Sequence, residues 1–168
     1  MNINQRFWYD QTRSDHEILQ LFRRQRVSPC HQLHYLQMIT EKLGKAYFWR
    51  TGRPPRMSHA SLVRFLQALD NRSNEDRARI AQLLGFGRGH VFRNWIPTII
   101  PLAHALEKLA PDLAGDGPNA EYPWPHDEPR FAPVSFEFDL WRQLTETSRG
   151  RQLAHVIDRA VTEFTKYA

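Results

Sequence analysis

The segment that most constrains this chain runs from Ser28-Pro29 to Thr51-Gly52 and on into Arg53-Pro-Pro-Arg56. Proline is favoured at a first helical position and glycine just past a last one, so the segment reads as one long helix with a marked start and stop. Leu33, Leu36, Ile39, Leu43 and Tyr47 recur at helical spacing and form its predicted buried stripe. At 1.5 Å per residue the helix is about 33 Å long, enough to be the backbone of a bundle. Two adjacent prolines cannot sit in a helix interior, because each removes a donor and clashes one turn back, so residues 53–56 must be a corner.

On either side the pattern stays helical. Ser14-Asp-His-Glu17 has the form of a capping box and predicts a helix start, with Ile18, Leu19, Leu21 and Phe22 inward. Arg23, Arg24 and Arg26 follow near its end, where cations complement the helix dipole. A third helix is predicted from Ala60 to Leu69, burying Leu62, Phe65, Leu66 and Leu69. Ser73 or Asn74 caps the next, which runs through Arg77 to Leu84. Gly85-Phe-Gly-Arg-Gly89 breaks it, and a further helix from His90 to Ala110 contains Pro97 and Pro101, which predicts a break or kink near Ile96. Residues 111–133 hold six of the eleven prolines and read as an extended strap pinned by Trp124. Two helices close the chain, at 136–147 and 149–167, the last with Leu153, Ile157, Ala160, Val161 and Phe164 on one face. No strand alternation and no internal repeat is visible. The expected fold is all-α, an antiparallel helical bundle forming a single domain over residues 1–168.

Composition narrows the function classes. A chain of 168 residues can bury a real core in one domain. The single cysteine, Cys30, excludes an internal disulfide and suits a reducing, cytoplasmic setting. Met1–Asp10 has no apolar core of a secretory leader, and no run approaches the roughly 18 apolar residues that a membrane span needs. Lys plus Arg is 23 against 18 acids, a net +5. Arginine dominates that charge and suits bidentate contacts with phosphate, so Arg53, Arg56, Arg88 and Arg93 are candidate nucleic-acid-binding residues.

Gln37, Glu41, Lys42, Lys45 and Ala46, then Gly52, Pro54, Pro55 and His59, stand in an order that resembles the HEPN family of helical domains. The resemblance covers residues 30–69 and continues through Leu62–Leu69. It implies an antiparallel helical bundle, often a homodimer, in toxin–antitoxin or defence systems. Some members are metal-independent RNases; others bind RNA or nucleotide, or partner a nucleotidyltransferase or an antitoxin. Active members carry Arg, four to six residues and then His, with a polar residue directly after the Arg. The histidine moves a proton at a ribose hydroxyl and the arginine steadies phosphate charge.

Two segments match that spacing. Arg149-Gly-Arg-Gln-Leu-Ala-His155 lies in the last helix, and Arg53-Pro-Pro-Arg-Met-Ser-His59 in the corner. Both depart from the pattern, with Gly150 and Pro54 in the polar position. Six helical steps rotate about 600°, leaving Arg149 and His155 about 120° apart, whereas Arg151 and His155 at i and i+4 share a face. The candidate catalytic set is Arg149, Arg151 and His155, with His59 as a second histidine, although His59 also suits a corner-holding hydrogen bond. The departures favour binding of RNA or nucleotide, or of a protein partner, without cleavage and without a cofactor.

Other readings compete. Residues 77–95 resemble a DNA-binding helix-turn-helix, with Ala81, Gly85, Val91 and Trp95 at its small, turn and core positions, and Arg88, His90, Arg93 and Asn94 free to enter a major groove. Cys30, His31 and His34 have zinc-like spacing, but no second ligand pair follows, so no metal is expected. Phe7, Trp8, Tyr9, Tyr47, Phe48 and Trp49 are candidate base-stacking or core residues. A last reading is a basic scaffold subunit of a nucleoprotein complex, with Arg64, Arg72, Arg77, Arg79, Arg88 and Arg93 along its surface.

Overall fold

The computed structural model describes residues 1–52, 59–124 and 132–168. Among them the chain is all-α: α1 (Ile3–Gln25), α2 (Pro29–Phe48), α3 (Leu62–Asp70), α4 (Asn74–Leu83), α5 (Gly89–Glu107), a single turn α6 (Pro111–Ala114), α7 (Asp139–Glu146) and α8 (Ser148–Thr162). Short 3-10 turns follow α2, precede α7 and end the chain, and no β-strand is present among the described residues.

The long helix is α2, and all five stripe residues are buried, with Leu33, Ile39, Leu43 and Tyr47 fully so. Its 3-10 extension ends at Gly52, whose φ of 72° is the left-handed stop the sequence predicts. Helices α1 and α2 form an antiparallel pair, and α3, α5 and α8 complete the core. Phe65 of α3 meets Tyr47 at 5.2 Å and Tyr167 at 6.4 Å between ring centroids. From α8, Leu153, Ile157, Ala160 and Val161 turn inward, with Phe164 just beyond. Tyr9 of α1 stacks on Phe164 at 4.5 Å and its hydroxyl donates to the Val161 carbonyl, tying α1 to the chain's end. Burial of the Tyr167 hydroxyl, which donates to the Ala160 carbonyl, pushes its pKa well up.

Helix α1 departs from expectation. It begins at Ile3, not near Ser14, because Asn2 is the N-cap and accepts from the Gln5 N–H at 2.9 Å. The Asn2 amide also donates to the Trp49 carbonyl at 2.7 Å, which closes the far end of the α1–α2 pair. Ser14 therefore lies on an exposed mid-helix turn. The buried face is Gln5, Tyr9, Thr12, Asp15 and Leu19; Ile18 and Phe22 are only half-buried and Leu21 is exposed. On that face Thr12 donates to the Trp8 carbonyl and Asp15 pairs with Lys42 of α2, whereas the buried Gln5 side-chain nitrogen has no hydrogen-bond partner.

Helix α5 also departs, running unbroken through Pro97 and Pro101. The two prolines lie four residues apart on the exposed face. The carbonyls they leave unbonded therefore face water, while Phe92, Ile96, Ile99, Ala103 and Leu106 stay buried on the other side. Trp124 is buried against Phe136 and Phe138 at centroid distances of 5.1 and 6.3 Å. The stretch expected to be an extended strap opens instead with the helical turn α6, where Pro111 fits a first helical position, and its residues 125–131 lie outside the described ones.

Candidate functional site

A cleft of about 660 Å³ opens between the C-terminal end of α1, the start of α2, and helices α7 and α8. Its apolar wall includes Val27, Leu36, Trp141 and Leu144, and its charged groups are Arg23, Arg26, Arg151, His155 and Asp158. This joins two of the sequence's candidate catalytic residues, Arg151 and His155, to two α1 arginines that looked like helix-end charges.

Each charged group is placed by its own element. Arg23 reaches across to α8 and clasps Asp158 with one nitrogen at 3.0 and 2.8 Å from the two carboxylate oxygens. His16 lies 2.9 Å from the same carboxylate, and Gln20 donates to it at 3.2 Å. Burial alone would raise the Asp158 carboxyl; the His16 hydrogen bond and the Arg23 guanidinium outweigh it and hold the pKa below the ordinary value. Arg26 closes α1 in the left-handed conformation, at φ 53° and ψ 41°, and is the only non-glycine residue with positive φ among those described. The Val27 N–H then bonds back to the Phe22 carbonyl at 3.1 Å, a Schellman-type end. No hydrogen bond or ion pair engages the Arg26 side chain among the described residues, and it is exposed on the cleft.

Arg151 donates through one nitrogen to the carbonyls of Thr145 and Glu146, at 3.2 and 2.9 Å, satisfying the last turn of α7. His155 is exposed, with its Nε2 set against Gly85: a Cβ added there would lie 3.1 Å from it. Arg149 lies apart from both, lining a separate groove with Pro101, Gln143 and Thr147. The fold thus unites Arg151 with His155 and separates Arg149 from them. Gly150, the departure from the HEPN-like spacing, has a packing cause: a Cβ there would come 1.9 Å from the Gln143 carbonyl oxygen. Helices α7 and α8 cross too closely at that point for any side chain.

His59 belongs to a different cluster. Its Nδ1 lies 2.6 Å from Glu41 and its Nε2 3.1 Å from Asp112. Glu41 also pairs with Lys45, and Gln37 approaches it at 3.4 Å. Burial would raise the Glu41 carboxyl, but Lys45 and His59 together bring its pKa below the ordinary value. Lys45 additionally sits 4.9 Å above the Trp8 ring. Nearby, Glu107 caps α3 by accepting from the Val63 N–H at 3.0 Å. Gln37, Glu41, Lys45 and His59, all part of the HEPN-like signature, are therefore one connected network that ties α2 to the residues just before α3.

The remaining candidates are dispersed. Arg53 and Arg56 lie outside the described residues. Arg88, His90, Arg93 and Asn94 are exposed at the start of α5, and Gly85 takes φ 91° in the turn before it. Ala81 and Trp95 are buried as a helix-turn-helix requires, but Val91 is 45% exposed rather than in the core. Of the aromatic candidates Tyr9 and Tyr47 are buried, Trp8, Phe48 and Trp49 half-buried, and Phe7 exposed. Cys30 is buried, His34 faces Glu121 at 3.3 Å, and no group of three His, Cys, Asp or Glu side chains among the described residues is arranged to hold a metal ion. No helix of the described residues is long and apolar enough to cross a membrane.

Sequence reasoning missed Arg23, Arg26, Trp141 and Asp158 as partners of His155. The signal was present in Arg23-Arg24-Gln25-Arg26, more cation than one helix terminus requires. Comparison of the chain with protein-family profiles, with curated proteins and with solved structures found no match.

Proposed function

We propose that this chain is a HEPN-like helical domain that binds RNA or nucleotide through the α1/α2–α7/α8 cleft and does not cleave it. One observation carries the reading: a sizeable cleft presents three arginines and a histidine beside an apolar wall containing a tryptophan, against a single carboxylate that Arg23 already neutralises. Guanidinium groups recognise phosphate in pairs of hydrogen bonds, and a tryptophan face accepts a base of any sequence. Binding without cleavage is supported by the split of the Arg…His set. Arg149 lines another groove, and Arg151, on the same helix face as His155, already serves the carbonyls at the end of α7.

The test is fluorescence anisotropy with labelled single-stranded RNA at several salt concentrations, beside a cleavage assay in EDTA. Affinity that falls with salt and with Arg26→Ala, while the RNA stays intact, is the expected result. Salt-dependent affinity reflects release of counterions from neutralised phosphates. Cleavage lost in His155→Ala would make the protein a metal-independent RNase; no affinity at any salt would remove the reading.

A second reading, duplex DNA binding by residues 77–95, is favoured by the exposure of Arg88, His90, Arg93 and Asn94 from the first turns of α5. It expects Arg93→Ala to weaken binding to a particular duplex, and equal binding by the two proteins would count against it.

A further inference from the structure

The charge balance of the cleft restricts what kind of phosphate it suits. Three arginines, Arg23, Arg26 and Arg151, face one aspartate, Asp158, leaving two positive charges uncompensated. Arg23 is spent on Asp158, through both of its carboxylate oxygens. Arg26 has no side-chain partner among the described residues, and Arg151 uses one of its three nitrogens on carbonyls, which leaves its charge unneutralised. An internal phosphodiester carries a single negative charge. A terminal monophosphate carries about −1.5 to −2 at neutral pH, and a triphosphate more than that.

We propose, resting on the binding reading above, that the cleft recognises a nucleoside bearing one terminal phosphate, with the phosphate between Arg26 and Arg151 and the base on the Trp141 side. His155, exposed at the same wall, supplies a further hydrogen bond to the phosphate or ribose. The cleft volume of about 660 Å³ falls within the range of small-ligand sites and has room for one nucleotide. The same chemistry occurs in a free nucleoside monophosphate and at the phosphorylated end of a single-stranded RNA.

The experiment measures binding of the full chain to four short RNAs of one sequence: 5′-phosphorylated, 3′-phosphorylated, phosphorylated at both ends, and with both ends as hydroxyls. AMP, UMP and magnesium-free ATP serve as competitors. A preference of roughly tenfold for at least one phosphorylated end, reduced severalfold or more in Arg26→Ala and partly kept in Arg26→Lys, is expected. Competition by AMP or UMP at comparable concentration assigns the site to free nucleotides; preference for the oligonucleotides assigns it to RNA ends. Equal affinity for phosphorylated and hydroxyl RNA, with no binding of AMP or UMP, would overturn the proposal while leaving general RNA binding intact. ATP binding more tightly than AMP would also overturn it. No binding of any probe would remove both.

Discussion

The corner around His59 and the cleft around His155 are built from the same residue types, and they differ in whether their charges close on one another. At the corner, Glu41, Lys45, His59 and Asp112 form a chain in which each group has a partner of opposite character. In the cleft, Asp158 satisfies Arg23 and His16, and no further carboxylate of the lining answers Arg26 or Arg151, the latter bonded only to carbonyls. A closed set of charges holds two elements together. An open set of one sign is what the proposed binding of phosphate would use. The histidine in the motif is thus a poor guide by itself, and what its neighbours have left unpaired is a better one.

Breaking the corner should have the largest effect. Lys45 and Glu41 are both buried, so Lys45→Ala leaves a carboxylate with only His59 and a long contact to Gln37 as partners. A loss of about 3–5 kcal/mol is expected from urea denaturation, and replacing both by Met and Leu should recover most of it. Gly150→Ala comes next. Its Cβ must push α7 away, and a loss of at least about 1–3 kcal/mol follows for overpacking a rigid contact. Because α7 and α8 are the far wall of the cleft, the same variant should weaken RNA binding, whereas the Lys45 variant should affect binding only through the amount of folded protein. Arg26→Ala inverts that pattern, with roughly a tenfold affinity loss, about 1.4 kcal/mol, and no loss of stability.

The two regions also respond to acid in the same direction. Glu41 and Asp158 both have folded pKa values below their ordinary values of 4.5 and 3.8. Each therefore contributes stability that is present above those values and is lost as pH falls through the lower, folded ones. Denaturation midpoints should be flat near neutrality and drop below about pH 4, and Glu41→Gln should flatten the drop at the cost of lower stability at pH 7. The smallest effect is expected from Asp139→Asn, which loses an exposed pair with Arg142; a change within about 0.5 kcal/mol would mark charge that is neither closed nor poised.

Much of the fold was legible in the chain, for physical reasons. The stripes of α2, α3 and α8 are apolar residues at helical spacing, and burial follows that spacing directly. Helix α1 was not, because its inner face is Gln5, Thr12 and Asp15 as much as Tyr9 and Leu19. Polar residues on a buried face leave no hydrophobic period to read. The prolines of α5 misled because a missing hydrogen bond matters only where water cannot replace it. The cleft lay beyond sequence reading for a simpler reason: Arg23 and Asp158 are 135 positions apart, and only the folded chain makes them neighbours.

Arg26 has one more implication. A left-handed helix end is a place where glycine sits without strain, and any residue with a Cβ costs on the order of 1 kcal/mol more. Replacing Arg26 with glycine should therefore raise the melting temperature even as it strips charge from the cleft. On the binding reading proposed above, Arg26→Gly should move affinity and melting temperature in opposite directions.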